Sequence, residues 1–170
     1  MEVRRIMTSN VAACRPDTNL SAAAGLMWDY DCGVIPVIDE NRKVVGVITD
    51  RDICMAAAMS NRPASQIAVG ELISGEVFAC APEDDVSEAL ATMQSRRVLR
   101  LPVVDGEGTL QGILSMNDIV LRAEKDRKGS GDGITYAEVI NTRKVISQHR
   151  NFSPEEELSA GHTKPRAMRA

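Results

Sequence analysis

Two short stretches of this sequence share one pattern, Thr49-Asp50-Arg51-Asp52 and Ser115-Met116-Asn117-Asp118, each following a glycine and two aliphatic residues (Gly46-Val47-Ile48 and Gly112-Ile113-Leu114). A hydroxyl followed three residues later by a carboxylate, at a helix start, offers definite chemistry. The carboxylate can accept hydrogen bonds from a ribose diol, as acidic residues do in dinucleotide sites. The hydroxyl and the free N–H groups of the first turn suit a phosphate. The same spacing is that of a capping box, which satisfies only the helix's own orphan N–H groups. Both roles are open at this level, and they can coexist. The copies also differ. Arg51 carries a charged fork suited to a phosphate, whereas Asn117 is neutral. Phosphate-bearing ligands are therefore expected to favour the Asp52 side. Arg100 stands where the first copy has Val34, with Arg96 and Arg97 nearby; these side chains fit either solvated surface or an anion site.

Other chemistries find little material. The only histidines, His149 and His162, lie beyond the repeated region, so Ser–His or Cys–His nucleophilic catalysis has no base there. Asp52 and Asp118 could face each other as a carboxylate pair, but duplication explains them more simply than acid–base work, and the chain is not expected to be an enzyme. Cys14, Cys32, Cys54 and Cys80 form no C-x-x-C pair, which argues against structural zinc and for reduced thiols. The net charge of -4 and 3% aromatic content argue against nucleic-acid binding. No run approaches the roughly 18 apolar residues of a membrane span, and Met1–Asn10 does not read as a signal peptide. A cytoplasmic location is expected.

The elements that must position the two motifs come from an internal repeat. Shifted by 66 residues, the chain aligns with itself without a gap: Cys14 falls on Cys80, Pro16 on Pro82, Met27 on Met93, Pro36-Val37 on Pro102-Val103, Asp39 on Asp105, and Asp52-Ile53 on Asp118-Ile119. Each copy starts with a short apolar piece (Val11–Ala13, Val77–Ala79). Leu20, Ala23, Ala24 and Met27 follow at helical spacing, as do Val86, Ala89, Leu90 and Met93. Two apolar runs joined by a polar turn then predict a hairpin, over 34–48 and 100–114, and a second helix starts at Thr49 or Ser115. The unit is β-α-β-β-α, an α+β fold. One copy of 55–60 residues leaves an apolar sheet face bare, so two copies are expected to pack sheet against sheet with pseudo-twofold symmetry. Pro36 and Pro102 inside the strands predict edges or irregular pairing. The division is 1–60, 61–128, and a tail of 129–170. In the tail, residues 125–133 read as a linker, and Tyr136, Val139, Ile140 and Ile146 share one face of a short helix through about His149. Residues 150–170 read as disordered.

The order of elements, the two G-h-x-[T/S]-x-x-D motifs, and the V-I-P-V and R-L-P-V stretches at 34–37 and 100–103 resemble the CBS domain, named after cystathionine β-synthase. The resemblance covers residues 1 to about 125. It implies a cleft between two sheets that binds an adenosine compound: AMP, ADP or ATP, alternatively S-adenosylmethionine or NAD, with no cofactor required. It also implies a homodimer and an effector protein that the sequence does not identify. It assigns ligand contacts to Ala12, Val34, Ile35, Pro36, Thr49, Arg51 and Asp52 in the first copy. In the second it assigns Val77, Ala79, Arg100, Leu101, Pro102, Ser115, Asn117 and Asp118. A scaffold that dimerises without ligand is the alternative expectation.

Overall fold

The computed structural model describes residues 1–73, 76–125 and 133–148. Along the chain run α1 (Leu20–Asp29), β1 (Val34–Ile38), β2 (Val44–Thr49) and α2 (Asp50–Met59). The second copy supplies α3 (Val86–Arg96), β3 (Arg100–Val104), β4 (Leu110–Ser115) and α4 (Met116–Val120), and α5 (Tyr136–Ser147) follows. The fold is α+β. Short 3-10 turns stand at 3–5, 64–66 and 69–71. No helix among the described residues is long and apolar enough to cross a membrane.

Local chemistry accounts for the elements. The Asn19 side chain accepts from the Ala22 N–H at 2.9 Å and opens α1. Asp85 accepts from the Ser87 N–H at 2.8 Å and opens α3. Helix α1 turns Leu20, Ala23 and Met27 inward, and α3 turns Val86, Ala89, Leu90 and Met93 inward. Each hairpin turn is knitted by one aspartate. Asp39 Oδ1 accepts from the Asn41 and Lys43 N–H groups, and Asp105 Oδ1 accepts from those of Glu107 and Thr109. The left-handed residue of the turn is Arg42 in the first copy (φ 62°) and Gly108 in the second (φ 83°).

The two sheets are antiparallel pairs in the same register, Val34 opposite Thr49 and Arg100 opposite Ser115, each shifting after its fourth pair, between Val37 and Ile38 or Val103 and Val104. Beside β1 and β3 the preceding segment touches down only at Cys14 and Cys80. There the Cys14 N–H donates to the Pro36 carbonyl and the Cys80 N–H to the Pro102 carbonyl. This is the irregular pairing that the two prolines predict.

The copies interlock. Val3, from the start of the chain, is fully buried in the core formed by the second copy, and Ile67 and Val69, which lead into the second copy, are buried in the core of the first. Thr8 pairs with Ile113 on β4, and the two hairpin turns bridge at Lys43 and Thr109. The two motif glycines exist because these crossing segments come close. A Cβ at Gly112 would stand 2.7 Å from the Thr8 carbonyl oxygen, and one at Gly46 would stand 2.9 Å from Ile73.

Helix α5 packs on α3 and α4. Its apolar residues divide, contrary to the single shared face expected: Val139 is buried, and Ile146 packs against the same core. Tyr136 and Ile140 point outward, each 54% exposed. Ile134 and Thr142 supply the rest of the inward face, because the Thr135 cap sets the phase of the helix. His149, most of the 125–133 linker and the 150–170 tail lie outside the described residues.

Candidate functional site

Both hydroxyl–carboxylate motifs form the same closed arrangement. Thr49 Oγ1 donates to Asp52 Oδ2 at 2.6 Å, which also accepts from the Thr49 N–H at 3.0 Å, and the Asp52 N–H donates back to Oγ1 at 3.2 Å. Ser115 and Asp118 repeat this at 2.6, 2.8 and 3.2 Å. Each is a complete capping box, so the structural role is realised in both copies. Only Oδ2 takes part. Among the described residues no hydrogen bond reaches Oδ1 of either aspartate, which leaves that oxygen available to a ligand.

What surrounds the two motifs differs. Against Ser115, Asn117 and Asp118 lies a cavity of about 270 Å³. Its far wall comes from the first copy: Val11, Ala12, Tyr30, Asp31, Cys32, Gly33 and Val34. Arg100 and Ile113 complete it from β3 and β4, with Thr8 and Asn10 at the crossing segment. The hairpin register explains Arg100. It stands directly opposite Ser115, and opposite residues share a face of the sheet. The cavity thus joins one guanidinium, two carboxylates (Asp31 and Asp118) and apolar walls from both copies. It can take a flat heterocycle between apolar walls, a diol at Asp118 Oδ1 and an anion at Arg100.

Of the residues expected to touch ligand, the cavity gathers Ala12, Val34, Arg100, Ser115, Asn117 and Asp118. Thr49, Arg51 and Asp52 sit on the other side of the pseudo-twofold, as the repeat requires. Ile35 and Leu101 are fully buried and serve the two cores. Pro36 and Pro102 are buried within the hairpins. Sequence reasoning did not name Thr8, Asn10, Val11, Tyr30, Asp31, Cys32, Gly33 or Ile113 as contacts. For Thr8 and Asn10 the missing information was that the chain start crosses to the second copy. Tyr30 and Asp31 follow α1 directly, and Asp31 adopts a left-handed conformation (φ 47°).

At the related position beside Asp52, the counterparts of Ala12 and Tyr30 are Phe78 and Arg96. They contact each other, with the Arg96 guanidinium 4.5 Å from the Phe78 ring centre, a cation–π stack. Phe78 also packs against the second core. Val77 and Ala79 flank it and are half-buried. The side chain that leaves room on one side is thus replaced by a large ring on the other. Arg51 itself is exposed. The cavity described above lies on the Asp118 side, where Asn117 takes the place of Arg51.

The two copies of Cys share one electrostatic trait. Burial pushes the Cys14 thiol up to about 11 and the Cys80 thiol up to about 12, the latter also through the nearby Asp84 carboxylate. Both are protonated, inert core groups. Among the described residues no cluster of histidine, cysteine, aspartate and glutamate could hold a metal ion.

Comparison with known proteins agrees with this architecture. The CBS domain family model matches residues 3–58 and again 69–125. The CBS domain-containing protein YhcV of Bacillus subtilis is 30% identical over 133 residues, covering 78% of this chain and 92% of YhcV. The inosine-5'-monophosphate dehydrogenase of Methanocaldococcus jannaschii is 34% identical over 130 residues, which are 73% of this chain but only 25% of the dehydrogenase. Among solved structures, CBSX2 in complex with AMP superposes with a TM-score of 0.61 at 27% identity, covering 71% of this chain and 93% of CBSX2. With both repeats matched and both capping motifs in register, the chain belongs to the CBS domain family and carries two CBS domains.

Proposed function

We propose that this protein is a non-catalytic cytoplasmic regulator, working as a homodimer, that binds one adenosine compound in the Asp118 cleft and passes the occupancy to a partner protein. The observation that carries the reading is the cavity built from both repeats, with a free carboxylate oxygen at Asp118 and the Arg100 guanidinium beside Ser115. Its size and charge narrow the ligand. A volume of about 270 Å³ lies just below the roughly 300–1,000 Å³ of small-molecule sites, which favours a mononucleotide or nucleoside over NAD. One cation against two carboxylates favours at most one phosphate. AMP or S-adenosylmethionine therefore fits better than ATP. The AMP bound by CBSX2 supports the same class.

Because the walls come from both repeats, a bound ligand stabilises one relative placement of the two halves, and that differential affinity is the signal. The ligand-free scaffold is the second reading, favoured by the fact that both motifs are complete caps without any ligand. Calorimetric titration with AMP, S-adenosylmethionine, ATP and NAD separates them. The sensor reading expects one site per chain, with AMP or S-adenosylmethionine tighter than ATP and NAD. No binding of any of the four would leave the scaffold.

A further inference from the structure

The cavity beside Asp118 carries one charge to which the adenosine reading gives no role. Asp31 stands on its first-copy wall, and Arg100 enters from β3 of the second copy. Both residues are exposed. Among the described residues neither side chain makes a hydrogen bond or an ion pair. Two opposite charges from different repeats therefore line one cavity without being joined to each other.

The turn that holds Asp31 does not account for its carboxylate. Residue 31 lies between α1 and β1 in a left-handed conformation, φ 47°. Its counterpart 66 residues on is Arg97, left-handed as well at φ 56°. The backbone shape is kept in both copies while the charge is reversed. Aspartate suits such a position when its side chain bonds the neighbouring backbone, and here it makes no such bond. Asp31 lines this cavity and also the neighbouring groove between α1 and α2. With Tyr30, which is 53% exposed, it stands at the cavity's mouth.

The pair discriminates by what an adenosine carries at its 5′ end. A phosphate satisfies Arg100 but brings further negative charge toward Asp31, and like charges brought together cost affinity. An α-amino acid satisfies both residues. Its carboxylate accepts from Arg100 and its ammonium donates to Asp31, each in a charge-assisted hydrogen bond.

We infer that Asp31 is a specificity-determining residue of this cavity, and that the preferred ligand is an adenosine bearing a free α-amino acid, its ammonium on Asp31 and its carboxylate on Arg100. This rests on the adenosine reading of the same cavity and deepens it, making AMP the weaker ligand. The amino-acid tail lies at the exposed mouth, so the interior has to hold only the adenosine.

The test is calorimetric titration of the full chain with S-adenosylmethionine, S-adenosylhomocysteine, 5′-methylthioadenosine and AMP. S-adenosylhomocysteine keeps the amino acid without the sulfonium charge, and 5′-methylthioadenosine lacks the amino acid. The parent chain is expected to bind both amino-acid ligands at least tenfold tighter than the other two. Asp31→Asn removes the charge and suits the left-handed backbone; thermal melting checks that folding is retained. It is expected to lose at least tenfold for the two amino-acid ligands and to bind AMP as tightly as before or tighter. Asp31→Arg, which places there the residue that the second copy carries, turns the preference toward AMP. AMP binding as tightly as S-adenosylmethionine in the parent, tight binding that needs the sulfonium, or a loss in Asp31→Asn that is absent or equal for all four ligands overturns this inference and leaves the adenosine reading standing. No binding of any of the four overturns both.

Discussion

The cleft beside Asp118 and the cleft beside Asp52 start from the same repeated unit, the same hairpin register and the same capping geometry. They part at many of the lining positions, three of which change size and charge most clearly. Where the first has Ala12 and Tyr30 the second has Phe78 and Arg96, and opposite the capping hydroxyl the first has Arg100 where the second has Val34. A ring in place of a methyl closes space, and an arginine stacked on that ring is drawn toward the ring face and away from a ligand anion. Duplication supplies two candidate sites, and a few side chains make them chemically unlike. The motif alone is thus a poor guide to occupancy, since it is fully satisfied as a cap on both sides.

That contrast can be broken at several points. The largest expected effect is on binding. Arg100→Ala removes the one cation that lines the open cleft, and a lost charge-assisted hydrogen bond of about 1.5–3 kcal/mol weakens AMP roughly 10- to 100-fold, whereas Arg51→Ala leaves AMP affinity unchanged. Isothermal titration of both variants checks this, and equal losses would erase the distinction. Next is stability. Gly112→Ala drives a Cβ to 2.7 Å from the Thr8 backbone oxygen and is expected to cost about 1–3 kcal/mol, as overpacking does. Gly46→Ala meets the Ile73 Cβ at 2.9 Å, a branched atom anchored to the backbone, so its cost in urea unfolding should be of similar size. Phe78→Ala sharpens the comparison directly. It clears the position that Ala12 leaves open in the other cleft, and a second, weaker AMP site should appear in the same titration; a stoichiometry that stays at one would show that Phe78 is not what closes it.

The smallest effects concern titration and backbone. Cys14 and Cys80 have folded-state values above the unfolded thiol value of 9.0. Above pH 9 the unfolded chain releases protons that the folded one keeps. Stability held below that pH is therefore lost as pH rises toward 11 at Cys14 and 12 at Cys80. Denaturation at pH 8 and pH 10 reads the fall, which should shrink in Cys80→Ala relative to its own pH 8 value. Arg97 ends α3 in a left-handed conformation, φ 56°, a position that favours glycine. Arg97→Gly should raise stability by a few tenths of a kcal/mol up to about 1 kcal/mol.

Much of this was readable from residue order. The 66-residue repeat, the helical stripes and the paired apolar runs led to the β-α-β-β-α unit, because period and turn chemistry are local properties. The irregular strand pairing followed from Pro36 and Pro102, since proline carries no N–H. Arg100 and Asp118 were named from the repeat alone. The exchange of leading segments was not readable: Val3 and Val69 are equivalent in sequence, and nothing local says that each packs with the other copy's core. The same gap hid Thr8 and Asn10. The phase of α5 also escaped, because Tyr136, Val139, Ile140 and Ile146 fit one broad stripe until the Thr135 cap and the seat on α3 choose between its edges. The contrast between the clefts was legible in part, because Phe78 falls on Ala12 in the 66-residue register.

The central claim is tested most directly by titrating AMP into Asp118→Asn and, separately, Asp52→Asn. Asparagine keeps a side-chain oxygen for the cap while removing the charge that would hold the ribose diol. The account predicts a loss of at least tenfold in affinity for Asp118→Asn and no change for Asp52→Asn. A loss confined to Asp52→Asn, or none in either, would contradict it.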